Sequence, residues 1–390
     1  MIKKLCIVTD RYPTEQYPIN TFLDQLVCQF VDMGIECTVI APYSKILDRI
    51  KKNKYFPAFH RVKTTKNNKQ FHIYSPTFFS LLGRKMLKIN FASIYQKRFE
   101  RKVYRVIESE KIEFDAIYAH FIVPSGITAA NVGQTLNKPA FIAYGESSLS
   151  IVYDNFNLIY IKDILKKING IIAVSSKNKR ELLQKELISE NRIDVFPNAI
   201  DSSKFHVIDK NECREKIGIQ QNDFVVVFVG HFINRKGSSR LSEAIDKLQD
   251  VKSIFIGSGE EQPTCHDIAF SGRVPHSEII YYLNAADVFV LPTLAEGCCN
   301  AIVEAMACGL PIISSDRPFN DDILDETCSI RINPESVDDI SKAIEILKDN
   351  IEYRKKLSEG AIRKAEKLKI DTRAKNIVAF MEKHCQLNES

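Results

Sequence analysis

Nine short apolar runs with helical patterns between them constrain this chain more than any other feature. Leu5–Thr9, Cys37–Ala41, Ala116–Ala119, Phe141–Tyr144 and Ile171–Val174 form one series. Phe224–Val229, Ser253–Ile256, Val288–Leu291 and Pro311–Ser314 form a second. Each is a continuous run of strand length, which is how a strand buried on both faces reads. Between them lie stripes at helical spacing, such as Leu241, Ala244, Ile245 and Leu248, or Ala374, Ile377, Val378 and Met381. Strand–helix alternation predicts parallel sheets joined by right-handed crossovers. The series starts twice, at Leu5 and again at Phe224, after a polar stretch that opens with the turn-rich Pro197-Asn198-Ala199-Ile200-Asp201. The expected architecture is therefore α/β, with two facing doubly wound domains. These are 1–197, to which a C-terminal helix at 371–390 returns, and 198–370. Ligands of such sheets bind at the carboxyl ends of the strands, which points to the cleft between the domains.

The 390 residues are 45% hydrophobic and 26% charged, ordinary for a soluble globular protein. The longest apolar runs are too short to span a bilayer, and the first ten residues lack the apolar core of a signal peptide. Ten cysteines are scattered with no C-x-x-C spacing, and the vicinal Cys298-Cys299 pair is too constrained for an ordinary disulfide. They are expected to be reduced thiols of a cytoplasmic protein. Charge is uneven. Residues 45–105 hold 17 Lys or Arg against Asp48 and Glu100, about +15 in a chain of net +5. Phe56, Phe59, Phe71, Phe78, Phe79, Leu81, Leu82, Met86, Leu87, Ile89 and Phe91 are interleaved with them. Two readings stay open: a peripheral contact with an anionic membrane surface, or a solvated basic face whose apolar residues belong to the core. No nucleic-acid-binding motif accompanies the charge, so nucleic acid is not an expected partner.

The segment Leu291–Pro311 carries the strongest chemical signal. It contains Glu296-Gly297-Cys298-Cys299-Asn300-Ala301 and then Glu304, the two carboxylates separated by seven residues. The order is strand, glycine-containing loop, helix. Glu296 falls in the loop and Glu304 about one turn into the helix. N–H groups near Cys299, Asn300 and Ala301 can receive a diphosphate, and Gly297 holds no side chain in its way. Glu304 is then placed for ribose hydroxyls and Glu296 for a sugar. The segment resembles the E-x7-E motif of the retaining glycosyltransferases of family 4, the group 1 family of the GT-B fold. Its form E-G-x-x-N…E-A-M-A-C-G-x-P is very specific.

Other segments fall in that family's order. Val229-Gly230-His231-Phe232-Ile233-Asn234-Arg235-Lys236-Gly237 resembles its V-G-R…K-G segment, whose Arg and Lys contact the donor phosphates. Lys236 matches. His231 stands where the family Arg is usual, and whether Arg235 supplies that charge is left open. Val195–Asp201 resembles the V-x-P-N-G-V-D interdomain segment, and Ile256-Gly257-Ser258-Gly259 the second-domain G-x-G turn. That turn lacks the further glycine of a dinucleotide fingerprint, which excludes a Rossmann cofactor site. In the first domain Asp115–Phe121 resembles D-x-I-H-A-H, which implies that His120 faces the sugar. Ala143-Tyr144-Gly145-Glu146 resembles the T-x-H-G-x-D turn, with Tyr144 in place of His. Asn20-Thr21 occupies the place of a common glycine in the first loop.

The resemblance implies a GT-B glycosyltransferase, a hexosyl- or N-acetylhexosaminyltransferase working with retention. Its co-substrate would be a nucleotide-diphosphate sugar, UDP-linked by expectation, with no other cofactor. No D-x-D pair of the metal-holding kind occurs, so no metal is expected, and Lys236 and the helix N–H groups would do that ion's work. Glu296, Lys236 and His120 are the expected catalytic set. Arg235, His231, Gly297, Cys298, Cys299, Asn300, Ala301 and Glu304 are expected on the donor side, and Asn20, Thr21, Tyr144 and Glu146 on the acceptor side. A lipid-linked or oligosaccharide acceptor at the inner face of a membrane, as in bacterial envelope polysaccharide assembly, follows by analogy. A non-catalytic nucleotide-sugar-binding partner and a nucleotide-sugar epimerase or hydrolase are the alternatives.

Overall fold

A computed structural model describes residues 1–14, 20–50, 56–80, 85–86 and 89–386, the side chains at 47, 48, 50, 85, 86, 89, 90 and 386 excepted. The chain divides into two compact units, 1–196 with 371–390, and 197–370.

Among its described residues the first unit holds ten strands: β1 (Lys4–Val8), β2 (Glu36–Ile40), β3 (His60–Thr64), β4 (Gln70–Tyr74), β5 (Lys85–Met86), β6 (Ile89–Asn90), β7 (Ala116–His120), β8 (Ala140–Tyr144), β9 (Gly170–Ala173) and β10 (Ile193–Val195). Eight of them form one sheet in the order β10-β9-β8-β7-β1-β2-β4-β3, while β5 and β6 pair with each other. Only the edge strand β3 runs antiparallel in the large sheet. The central strands are fully buried, as their continuous apolar runs require. The C-terminal helix Ile370–Gln386 lays the expected stripe on this unit, with Ala374, Ile377 and Met381 fully buried. Phe380 meets Phe141 and Phe196 at 6.4 and 5.6 Å, and Asn169 donates to the carbonyl of His384.

The second unit holds β11 (Val225–Val229), β12 (Lys252–Ile256), β13 (Ile268–Gly272), β14 (Val288–Leu291), β15 (Ile312–Ser315) and β16 (Ser329–Ile332). They form an all-parallel sheet in the order β13-β12-β11-β14-β15-β16.

Strand order reverses once in each sheet. In the first unit β1 pairs with β2 on one side and β7 on the other. In the second, β11 pairs with β12 and β14. The loops leaving β1 and β7, and those leaving β11 and β14, therefore flank each reversal, which is where ligands of such sheets bind. The site residues expected from sequence lie at the carboxyl ends of strands, His120 and Tyr144 as the last strand residues and the others on or just after the loops that follow.

Candidate active site

In the second unit, the loop after β14 runs from Pro292 to Cys299 and feeds the helix Asn300–Ala307. Glu296 is buried within it, and its Oε1 collects three donors. Lys236 Nζ lies at 2.6 Å, Thr293 Oγ1 at 2.8 Å and Arg235 Nη1 at 3.0 Å. Its other oxygen, Oε2, takes no hydrogen bond among the described residues. Arg235 also donates to the carbonyl of Ala295 at 2.6 Å, while its own carbonyl accepts from Leu294 N and lies 3.1 Å from Thr293 Oγ1. The two loops are thus laced together. Gly237, at φ +82°, makes the approach possible: a Cβ there would lie 2.6 Å from the carbonyl oxygen of Pro292.

Arg235 spends its charge on Glu296 and the loop backbone, so it is a brace for the carboxylate. Lys236 is the more enclosed cation, its side chain 12% exposed. Burial pulls its ammonium down, but Cys299 and Glu296 beside it pull further upward, and the net is above the ordinary lysine value. Burial also pushes the Cys299 thiol up. Lys236 is thereby held as the charged ammonium of this cluster. His231 is exposed. Burial of its ring, then Lys236, lowers it below the usual imidazole range, with Arg273 and Arg235 adding to the effect. It is neutral near pH 7 and does not replace a permanent arginine charge. Arg273 is a cation of this cluster that spacing does not reveal. It sits just past β13 and donates to Ser258 Oγ at 2.6 Å.

The helix Asn300–Ala307 opens at this cluster without a side-chain hydrogen bond to cap it. Its leading N–H groups and the partial positive charge of the helix start point the same way as the cations. The Asn300 Oδ1 is buried without a hydrogen-bond partner among the described residues. Cys298 is buried and serves the loop: its carbonyl accepts from Asn198 Nδ2 at 2.9 Å, and its sulfur from Asn198 N at 3.3 Å. The Pro197-Asn198-Ala199 segment, expected as a linker, therefore also fixes the conformation just after Gly297. Glu304, one turn into the helix, has Oε1 3.2 Å from His276 Nε2. The turn Gly257-Ser258-Gly259 is a packing device. A Cβ at either glycine would come within 2.1 Å of the backbone at Gly230 or Phe232.

In the first unit, His120 ends β7 and is 1% exposed. The rings of Phe22 and Phe121 lie 4.9 and 4.5 Å from it, and the Tyr118 hydroxyl 3.4 Å from its Nδ1. Burial, and secondarily Arg373, pulls its pKa down to about 3, so it is a neutral imidazole. Asn20 sits in the left-handed region (φ 55°, ψ 37°) at the start of the helix Thr21–Asp32. Asparagine is among the few residues besides glycine that reach that region readily, so the replacement keeps the backbone. Thr21 begins that helix and Phe22 brings it beside His120. Glu146 is buried and receives Ile122 N at 2.7 Å and Gly145 N at 3.1 Å. It clamps the Phe121 kink, where φ is +69°, immediately after His120. Burial pushes it up to about 7 despite those bonds.

Tyr144 requires a correction. It was expected on the acceptor side, but its ring is fully buried in the first unit's core and its hydroxyl donates to Glu181 at 2.8 Å. A side chain at the last position of a central strand points into one packed layer or the other, and this one points inward. Sequence reasoning also passed over Thr293, Asn198, His276 and Arg273. Thr293 and Asn198 lie inside segments already singled out. His276 and Arg273 follow an edge strand whose pattern does not reveal it.

The basic segment resolves into parts. Phe71 and Phe78 belong to the core, whereas Phe59 and Phe79 are 50% and 58% exposed. The helix Phe91–Ser109 buries Ala92, Phe99, Val103, Val106 and Ile107 and turns Ile94, Lys97, Arg98, Arg101 and Arg105 outward. Leu81, Leu82 and Leu87 lie outside the described residues. No helix among the described residues is long and apolar enough to cross a membrane.

Comparison with known proteins agrees with this fold. Residues 209–364 match the family described as Glycosyl transferases group 1, and residues 19–204 match Glycosyltransferase Family 4. TuaC of Bacillus subtilis (strain 168), a glycosyltransferase named for teichuronic acid biosynthesis, is 28% identical over 357 residues, 87% of this chain and 88% of that one. An Escherichia coli UDP-Gal:alpha-D-GlcNAc-diphosphoundecaprenol alpha-1,3-galactosyltransferase is 26% identical over 242 residues, 55% of this chain and 60% of that one. Among solved structures, HepE of Anabaena in complex with UDP superposes with a TM-score of 0.71 at 15% identity, covering 97% of this chain and 100% of that one. Two doubly wound units of this kind make the chain an α/β protein of the GT-B fold and an enzyme of the glycosyltransferase class. More narrowly, it belongs to glycosyltransferase family 4, whose two domain descriptions together cover most of its length.

Proposed function

We propose that this enzyme transfers a sugar from a UDP-sugar to a lipid-linked or saccharide acceptor in cell-surface polysaccharide synthesis, with retention and without a metal. The observation that carries the donor assignment is the Glu296–Lys236–Arg235–Thr293 cluster beside an uncapped helix start at a sheet's reversal point. A diphosphate there meets Lys236, helix N–H groups and Arg273, enough positive charge to serve where a divalent ion otherwise would. Oε2 of Glu296 is left to orient the sugar, and Glu304 to accept from ribose. The C1–O bond to phosphate breaks ahead of attack, and the acceptor oxygen bonds to C1 on the same face. The acceptor proton passes to the departing phosphate oxygen, so no side-chain base is needed. The lipid-linked acceptor is supported by the Escherichia coli relative's named substrate, and the polysaccharide setting by the name of TuaC. The outward face of the helix Phe91–Ser109, with Phe79 under Arg98 at 5.6 Å, suits an anionic membrane surface where such an acceptor resides.

A thermal-shift screen against nucleoside diphosphates tests the donor assignment, because a ligand of the native state raises Tm by mass action. UDP should stabilise the protein, Glu304→Ala should remove most of that shift, and Lys236→Ala should lower kcat about a hundredfold or more. Turnover unaffected by EDTA supports the metal-free reading, and normal behaviour in both variants would sink the site.

A further inference from the structure

Glu304 does not stand alone on its helix. Its Oε1 is 3.2 Å from Nε2 of His276, twenty-eight residues earlier, and the two side chains are 12% and 27% exposed. His276 opens a short 3-10 turn after Pro275, beyond the end of β13. The buried ring of Phe205 stands edge-on to its imidazole, 5.3 Å between centroids at 80°. The imidazole is therefore held on two sides, by the ring of Phe205 and by the carboxylate at its Nε2. An ionised carboxylate can only accept, so Nε2 carries the proton in this contact. With Oε1 occupied, Oε2 has no partner among the described residues and is the oxygen left for a ligand.

We infer that His276 is a positioning residue for nucleotide recognition: it fixes the rotamer of Glu304 so that Oε2 meets a ribose hydroxyl without reorganising. This rests on the proposed ribose role of Glu304. A carboxylate held by a neighbour is pre-organised, and the hydrogen bond to it is stronger than one made by a carboxylate that must first be ordered. The function of His276 is thus to raise discrimination between ribonucleotides and their deoxy forms, while contributing nothing to the diphosphate contact.

The experiment is calorimetric titration of wild type, Glu304→Ala, His276→Ala, His276→Gln and the double alanine variant. Each is titrated with UDP, ADP and GDP beside their 2′- and 3′-deoxy forms. Wild type should prefer one ribonucleotide over a deoxy form by about tenfold or more, and Glu304→Ala should bring that ratio close to one. His276→Ala should lower the same ratio several-fold with little change in affinity for the deoxy form. His276→Gln, whose amide N–H can occupy the position of Nε2–H, should restore it. The double variant should match Glu304→Ala. If Glu304→Ala leaves the ratio intact, or no diphosphate binds, the ribose reading fails and the inference with it. If Glu304→Ala collapses the ratio while His276→Ala does not, the reading stands and the inference is overturned. Equal loss of ribo and deoxy affinity in His276→Ala would also overturn it, since a purely structural role weakens both alike.

Discussion

One carboxylate oxygen, Oε1 of Glu296, meets an ammonium, a guanidinium and a hydroxyl. That crowding separates two positions that the sequence left merged, because Arg235 braces both the carboxylate and the loop backbone whereas Lys236 is the more enclosed cation. A second buried carboxylate has different surroundings. Glu146 has no cation among its hydrogen-bond partners and is pushed up to about 7 from an ordinary 4.5. Between those values the native state holds a proton that the unfolded chain has lost. Stability is therefore fully present below about pH 4.5 and is lost as pH rises through 7. The shift corresponds to at most about 3 kcal/mol. His120, lowered to about 3, works in the other sense, losing stability as pH falls from about 6.5 toward 3. Glu146→Gln keeps the shape and removes the titration. The difference in melting temperature between Glu146→Gln and wild type should move in the variant's favour between pH 5 and pH 8, read by scanning fluorimetry across that range. A difference constant with pH would show that Glu146 is not the group responsible.

Among the elements, the central strands were legible because their faces are both covered. Val288–Leu291 reads as four apolar residues and is a fully buried strand. The strands that sequence reasoning passed over share the opposite property. β3, β4 and β13 alternate exposed or half-buried with more buried residues, β16 is half-buried at its two middle positions, and β10 has only three residues. They sit at or next to sheet edges, where one face meets solvent and the continuous run is lost. The motifs located Glu296, Glu304 and Lys236, because short-range spacing on a loop and its helix encodes them. His276 and Arg273 escaped because their placement depends on β13, an edge strand. Tyr144 misled because its motif position says which turn it occupies and not which way its ring points. Loop-to-loop contact depends in turn on glycine. Gly237→Ala would force a left-handed alanine whose Cβ sits 2.6 Å from Pro292 O and 2.8 Å from Arg240 Nη2. The expected cost is about 2 kcal/mol or more, measured as a fall in the denaturant midpoint of the second unit. A midpoint unchanged within error would mean that the two loops tolerate separation.

At the scale of the whole molecule, charge is segregated. A chain of net +5 carries about +15 between 45 and 105, and Arg98, Arg101 and Arg105 stand outward on one helix near exposed Phe79. Each basic residue near an anionic surface is worth about 1 kcal/mol, so losing three should weaken binding roughly a hundredfold. Arg98→Gln, Arg101→Gln and Arg105→Gln together should abolish co-sedimentation with phosphatidylglycerol-rich vesicles at low salt, and leave thermal stability near wild type. Undiminished sedimentation would assign the patch to solvation alone. The cysteines carry one more consequence. Eight of the ten are buried and only Cys28 and Cys385 are half-exposed. The protein thus holds a built-in clock of its own opening. A thiol reagent should modify two sulfurs promptly and the others only as fast as local or global unfolding uncovers them. Since Cys298 and Cys299 lie in the loop after β14 and six buried thiols lie elsewhere, the order in which peptides acquire label would report whether an added nucleotide steadies one loop or the entire fold.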